Sequence, residues 1–340
     1  MSGTAAWFAL GTFCAEDEAS FPALVSARGV LDLRDRLGSN VSTGSLFADW
    51  PASLESLRAI AADGAVPWRS GEGLRPLPPV DPPGQLFCAG ANYGRHLRQM
   101  VISMGRDANP GRAQAELEAE AEVAVKERLD SGLPFVFTVA PSALSGATDD
   151  VVLWGPGHQH DWELELAVVI GRGGWQIPED DALEHVAGYT IANDISTRDV
   201  MNRPNFPMTD FLMTKGRPTF KPVGPYVVPR EFVPDYRALR IRLSVNGEVM
   251  QDEGCDDMIY GVERLVSYVS SVAILRPGDI LLTGSPAGNA GHHGARWLRP
   301  GDVIDASISG LGEHRYRCVT PPGEHPDAAT IPIGRESRHD

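Results

Sequence analysis

The sequence predicts a mixed, β-rich α+β fold, and three observations predict it. Short apolar runs alternate with polar residues, as in Ile241, Leu243 and Val245, which lead into Asn246-Gly247, a dipeptide that tolerates the positive φ of a tight hairpin. The segment Leu275-Arg-Pro-Gly-Asp-Ile280 returns as Leu298-Arg-Pro-Gly-Asp-Val303, so one kind of turn feeds two successive strands. Finally, the cluster Gly171-Arg-Gly-Gly174 is not followed by a helix in dinucleotide-binding register, so it reads as a turn and not as part of a doubly wound nucleotide fold.

Along the chain, Trp7 to Phe13 and Ala23 to Leu33 read as strands and Leu54 to Ala62 as a weak helix. The proline-rich stretch from Arg75 to Pro83 marks a boundary, which divides the chain into a small N-terminal unit over 1–80 and a larger one over 81–320. Gln85 to Ala89 reads as a strand entering Gly90-Ala-Asn-Tyr-Gly-Arg-His96, where two glycines allow a close backbone turn. Asn109 as N-cap, Pro110 at the first helical position and Gly132 as the stop predict a helix over 109–132, with Ala113, Leu117, Ala121, Val125 and Leu129 as its apolar stripe. Asp161 to Ile170 and Gly188 to Asn193 read as strands, and Ile259, Val262, Leu265, Val266 and Val269 as one face of a second helix. The polar, proline-containing residues 321–340 are expected to form a loose tail.

Charge and composition exclude several function classes. Against 30 Lys and Arg the 340 residues carry 45 Asp and Glu, a net charge of -15 with no dense basic cluster, so nucleic acid and anionic membrane are not expected partners. No apolar run is long enough to span a bilayer, and the first residues lack the basic start of a signal peptide; a cytoplasmic location is the expectation. Cys14, Cys88, Cys255 and Cys318 are widely spaced with no Cys-x-x-Cys pair, as in a protein with reduced thiols.

The chemistry concentrates in a few carboxylates. Glu163 and Glu165 lie two apart in a strand-like run, so both project to one face while Trp162, Leu164 and Leu166 project to the other. Asp194 ends a second apolar run. Like charges beside an apolar wall are costly unless a cation sits between them, and oxygen-only ligands suit Mg²⁺, Mn²⁺ or Ca²⁺. Arg198 and Asp199 read as a salt bridge shaping the turn after Asp194, and Lys215 as either a solvated lysine or the neutralising charge for an enolate or carboxylate. His96 is open to two readings, a general base near neutral pH or a hydrogen-bonded structural histidine. Gly284-Ser-Pro-Ala-Gly288, after a strand over Ile280 to Thr283, reads as a backbone-amide nest for an anion or as a plain turn. A rival pattern, His158-Gln-His160 with Glu165 and Gly171, partly matches the first metal motif of a cupin barrel, but its companion motif is missing downstream.

From Gln85 to about Cys318 these motifs, in order, resemble the fumarylacetoacetate hydrolase family: the Gly90 to His96 turn, Trp162 to Gly171, Gly188 to Asp199, Lys215, Pro222-Val-Gly-Pro225, Val245-Asn-Gly-Glu248 and Pro277 to Gly288. The resemblance implies a β-roll catalytic domain behind a small N-terminal domain, a homodimer, and Mg²⁺ (or Mn²⁺ or Ca²⁺) held by Glu163, Glu165 and Asp194. It makes His96 the catalytic base, places Lys215 and Arg198 in the pocket, and puts Ser285 where the family usually has a threonine contacting the substrate carboxylate. Gly284, Tyr93 and Met201 complete the expected substrate-binding set. Gln99 stands where many small members carry a glutamate paired with the histidine, Met201 where members often carry glutamine, and Val139 or Ala140 where a lysine is common. The 109–132 helix resembles an insertion, expected to close over the pocket and to supply the missing carboxylate from Glu116, Glu118, Glu120 or Glu122.

The implied activity is hydrolysis of a C–C bond in an acylpyruvate-type 1,3-diketo acid, in the catabolism of small or aromatic-derived compounds. Isomerisation or decarboxylation of an unsaturated 2-oxo diacid or oxaloacetate is the alternative, and a noncatalytic, cupin-like metal or small-ligand binder is the reading from a different class.

Overall fold

The computed structural model describes residues 6–16, 18–203 and 206–323. The expected tail therefore lies outside the described residues from 324 onward. The architecture is mixed and sheet-rich, built on an eleven-stranded sheet and a five-stranded sheet. In spatial order the main path of the large sheet runs Gly29–Asp32, Phe21–Ser26, Ala9–Cys14, Lys221–Pro229, Val186–Asn193, Leu164–Ile170, Ile280–Leu282, Leu86–Gly90 and Phe135–Thr138.

The stretch read from Ala23 to Leu33 as one strand is in fact most of a hairpin, Phe21–Ser26 paired antiparallel with Gly29–Asp32. Gly29, at φ +119°, supplies the bend that periodicity alone concealed. The N-terminal strands form no sheet of their own. Ala9–Cys14 pairs with Lys221–Pro229 at Leu10 and Val227, and Arg75–Leu77 returns from the proline-rich stretch to pair with the same N-terminal strand.

At the centre, every residue of Leu164–Ile170 and of Val186–Asn193 is buried, because the sheet is covered on both faces. Alternation sorts the side chains: Leu164, Leu166, Val168 and Ile170 enter one core cluster, and Ala167 and Val169 enter another with Val223, Leu86 and Leu282. Glu163 and Glu165 fall in phase with Ala167 and Val169, as strand period two requires.

The smaller sheet contains the expected hairpin, Arg240–Val245 against Glu248–Gly254, with Asn246 and Gly247 at φ +53° and +82°. The repeated turn is one structure built twice. Asp279 Oδ2 accepts the Arg276 N–H and Asp302 Oδ2 the Arg299 N–H, each at 2.8 Å, with Gly278 and Gly301 both at positive φ.

The helix expected over 109–132 is the second of two, Gly94–Ala108 and Gln114–Ser131. Asn109 ends the first instead of capping the second, and its Oδ1 accepts the Gly111 N–H at 3.0 Å, a local turn that delays helix growth until Gln114. The two pack as a helical hairpin, with Leu117, Ala121 and Val125 buried and Ala113 and Leu129 exposed. Trp50–Ala62 and Val262–Val272 are the other long helices. No described helix is long and apolar enough to cross a membrane.

Candidate metal centre

Three elements converge on one cavity of about 570 Å³. Glu163 and Glu165 come from the central strand and the residue before it. Asp194 follows the end of its neighbour, Val186–Asn193, where the Asp194 N–H donates to the Glu163 carbonyl at 2.8 Å and fixes the two chains in register. One oxygen from each carboxylate lies within 4.8 Å of the others, and all three residues are buried.

Each carboxylate has a different environment. Glu163 accepts from Lys215 Nζ, from Arg198 Nη2 at 2.7 Å and from Ser196 Oγ at 3.1 Å. Burial pushes its proton affinity up, yet the Arg198 and Lys215 charges prevail and hold the carboxyl below the usual range. Asp194 lies between Lys215 at 2.5 Å and Lys221 at 2.6 Å. Glu165 receives only the Gly284 N–H, at 2.6 Å, and pairs with no cation among the described residues. Burial, with the Asp194 and Glu163 charges added, raises it well above an ordinary glutamate.

The donor set therefore fits a hard dication. Four buried carboxylates, Asp161, Glu163, Glu165 and Asp194, face three cations, Arg198, Lys215 and Lys221, and the unmatched charge falls on Glu165. Oxygen-only ligands in a buried site suit Mg²⁺ or Mn²⁺, and Arg198, Lys215 and Lys221 fix Glu163 and Asp194 in place. A bound dication would satisfy Glu165 without displacing its backbone donor.

His96 lies on the first turn of the Gly94–Ala108 helix and faces the same cavity, buried, with Nδ1 lacking a hydrogen-bond partner. Burial first, and the Arg198, His292 and Lys215 charges second, outweigh Glu163 and lower it to about 4. Gln99 supplies no carboxylate; its Oε1 accepts the Gly288 N–H at 3.3 Å. The glutamates of the following helix do not replace it. Glu122 pairs with Arg98, Glu120 with Arg112 and Glu118 with Gln114, all at the surface, and neither these nor Glu116 lines the cavity.

Arg198, Lys215, Ser285 and Met201 all line the cavity. Ser285 Oγ accepts from Gln251 Nε2 at 3.0 Å. Two expected substrate contacts are placed differently. Tyr93 is fully buried in the core and does not line the cavity, and Gly284, at φ +96°, directs its N–H to Glu165 in place of an open anion nest. The expected Arg198–Asp199 pair is also replaced, since Arg198 turns to Asp161 and Glu163 while Asp199 accepts the His158 and Gln159 N–H groups. His158 is exposed, and His160 is buried with Nδ1 against Thr197 Oγ1 at 3.0 Å; neither lines the cavity, which removes the cupin ligand set.

Lys221 and Asp161 were not singled out by sequence reasoning. The signal for Lys221 was its setting, a lysine in the apolar run Phe220-Lys-Pro-Val223, where a charge needs a partner. The aromatic wall of Phe135, Phe137 and Phe211 comes from two distant segments, and no local pattern joins them.

Comparison with known proteins agrees with this geometry. Residues 85–319 match the family model described as fumarylacetoacetate (FAA) hydrolase C-terminal. The chain is 35% identical over 237 residues to a Bos taurus protein named oxaloacetate tautomerase FAHD2A, mitochondrial, covering 69% of this chain and 67% of that one. Among solved structures, fumarylacetoacetate hydrolase from Exiguobacterium antarcticum superposes with a TM-score of 0.70 at 27% identity, covering 92% of this chain and 100% of that one. Fumarylpyruvate hydrolase from Pseudomonas aeruginosa, in complex with Mn²⁺ and pyruvate, gives a TM-score of 0.56 at 28% identity, covering 70% and 90% of the two chains. With 235 of its residues matching that model and a relative 35% identical over two thirds of both chains, the chain belongs to the fumarylacetoacetate hydrolase family.

Proposed function

We propose that the protein is a divalent-metal-dependent hydrolase that cleaves the C–C bond of an acylpyruvate-type 1,3-diketo acid. The observation that carries this reading is Glu165, a buried carboxylate with no cationic partner, set beside Glu163 and Asp194 and across one cavity from His96. Glu163, Glu165 and Asp194 would hold the ion. Once bound, the ion supplies Lewis acidity that stabilises negative charge on a 2-oxo acid as it becomes an enolate.

The chain's own groups do the rest. Neutral His96, inside the cavity, takes a proton from water as the water oxygen adds to the distal carbonyl; collapse of that adduct breaks the C–C bond and releases the carboxylic acid, and the enolpyruvate fragment takes the proton back at carbon to leave as pyruvate. Lys215 and Arg198 keep the surroundings positive where the enolpyruvate charge develops, and Lys221 holds Asp194 in place from behind. Asp161 orients Arg198. Ser285, buried at the cavity wall, offers a hydroxyl to the substrate carboxylate.

A second reading, keto–enol tautomerisation of a 2-oxo acid such as oxaloacetate, is favoured by one observation. His96 lacks the carboxylate that would strengthen it as a water-activating base, because Gln99 is engaged with Gly288. The bovine relative, named for oxaloacetate tautomerase activity, supports the same reading. Purified protein with Mg²⁺ or Mn²⁺ separates the two. Release of pyruvate and a carboxylic acid from an acylpyruvate supports hydrolysis, whereas a change in the enol absorbance of oxaloacetate with no pyruvate released from any acylpyruvate excludes it. The expected homodimer belongs to this proposal, and light scattering of the purified protein tests it.

A further inference from the structure

The cavity has two chemically distinct ends. His96, Met100, Ser103 and Asp107 lie on one side of the Gly94–Ala108 helix and all line it. Eleven residues at about 1.5 Å each place Asp107 roughly 16 Å along the helix axis from His96. The cationic side chains lining the cavity, Arg198 and Lys215, belong to the His96 end, where both are tied to metal-site carboxylates. His292 belongs there too, close enough to His96 and Asp161 to feel their charges.

The outward end is apolar. Phe137 and Phe211 stack with centroids 4.3 Å apart and planes within 9° of parallel, and Phe135 lies against Phe211 at 5.6 Å. Phe137 also lies 5.5 Å from Lys215 Nζ, so the aromatic wall begins where the charged cluster stops. Met100 and Met104 are one helical turn apart on the facing helix, and polarisable thioethers beside aromatic rings adapt to flat apolar groups. Among the described side chains, the one charge lining this end is Asp107, exposed and in no ion pair.

Building on the proposed 2-oxo acid chemistry, we propose that the substrate's acyl group is neutral and apolar, an aryl or extended alkyl chain lying between Met100, Met104 and the Phe137–Phe211 stack, and not a second carboxylate. A carboxylate on the tail would leave water for aromatic walls and approach Asp107 with like charge, both costly. An aryl ring instead gains stacking and burial.

The test uses the full chain loaded with Mn²⁺, with benzoylpyruvate, hexanoylpyruvate, fumarylpyruvate and oxaloacetate as probes. Benzoylpyruvate and hexanoylpyruvate are expected to exceed fumarylpyruvate in kcat/KM by roughly 10²-fold, the scale of desolvating a carboxylate against apolar walls. Phe211→Ala is expected to lower kcat/KM for benzoylpyruvate by at least about tenfold more than for acetylpyruvate, which does not reach the stack. Asp107→Arg narrows the gap between neutral and dianionic substrates. Thermal shift provides a reading independent of turnover. If pyruvate stabilises the Mn²⁺-loaded protein but fumarylpyruvate or oxaloacetate binds and reacts as well as benzoylpyruvate, the proposal is overturned and the 2-oxo acid reading stands. If no 2-oxo acid, pyruvate included, shifts the melting temperature, both fall together.

Discussion

Arg198 holds Glu163 through Nη2 and Oε1 at 2.7 Å, while its Nε reaches Asp161 Oδ2 at 2.9 Å, so one guanidinium bridges two carboxylates on the same chain segment. Lysine has the charge but not the planar fork. Arg198→Lys is therefore expected to weaken Mn²⁺ binding about 10–100-fold, the usual effect of losing an outer-shell partner, with kcat/KM falling in parallel. Calorimetric titration of Mn²⁺ into both proteins checks this, and unchanged affinity would refute the positioning role.

Glu163 and Glu165 are expected to respond oppositely to the same substitution. In metal-free protein, Glu163→Gln removes a partner from Arg198 and Lys215 and lowers stability on the order of 3 kcal/mol, whereas Glu165→Gln removes an uncompensated buried charge and raises it by about 1 kcal/mol at pH 7. Both abolish the melting-temperature rise that Mn²⁺ induces. The pH dependence has the matching sign. Glu165, raised in the fold, contributes stability that is complete below the ordinary glutamate range and is lost as pH climbs through its higher folded value. Glu163, depressed in the fold, contributes stability that is present above the ordinary range and lost on acidification. Urea melts across pH on the two variants separate these contributions.

His96, lowered to about 4 by burial and neighbouring cations, is neutral through the physiological range. The acidic limb of kcat/KM is therefore expected near or below pH 4, and no limb from this residue falls between pH 6 and 7. His96→Gln is expected to lower kcat by 10²–10⁴-fold while the Mn²⁺-induced thermal shift persists, because the residue is no ligand. A pH profile with a midpoint near 6.5 that vanishes in the variant contradicts this environment.

Replacement of Glu118, Glu120 or Glu122 by glutamine, one at a time, is expected to leave kcat/KM within about twofold of the parent. Their ion pairs and hydrogen bonds lie at the surface of the helical hairpin, where solvent screening leaves such pairs little effect on stability. Steady-state assays and melts of the three variants check both statements.

That Glu163, Glu165 and Asp194 meet was legible in the sequence because strand period two and a lone aspartate ending an apolar run are local signals. Lys221 was overlooked because one lysine in an apolar strand acquires meaning only when Asp194 is seen opposite it. The second arm of the helical hairpin begins later than Asn109 and Pro110, which have the composition of a helix start, suggest, and Gly94 and Gly105 make the preceding helix inconspicuous. Tyr93 sits next to catalytic-looking glycines, yet a strand-to-helix turn directs its ring into the core. What reading along the chain could not supply was side-chain direction at such turns and the meeting of Phe137 with Phe211.

The pairing of Ala9–Cys14 with Lys221–Pro229 has a consequence for how this protein can be cut. The latter strand carries Lys221, the brace behind Asp194, and its outer margin is hemmed by the N-terminal strand at Val227. A fragment beginning at residue 81 would retain every proposed ligand and still bare that margin as a raw seam, open to stitching by another chain. The strand Ala9–Cys14 serves as the selvage of the sheet that carries the proposed ligands.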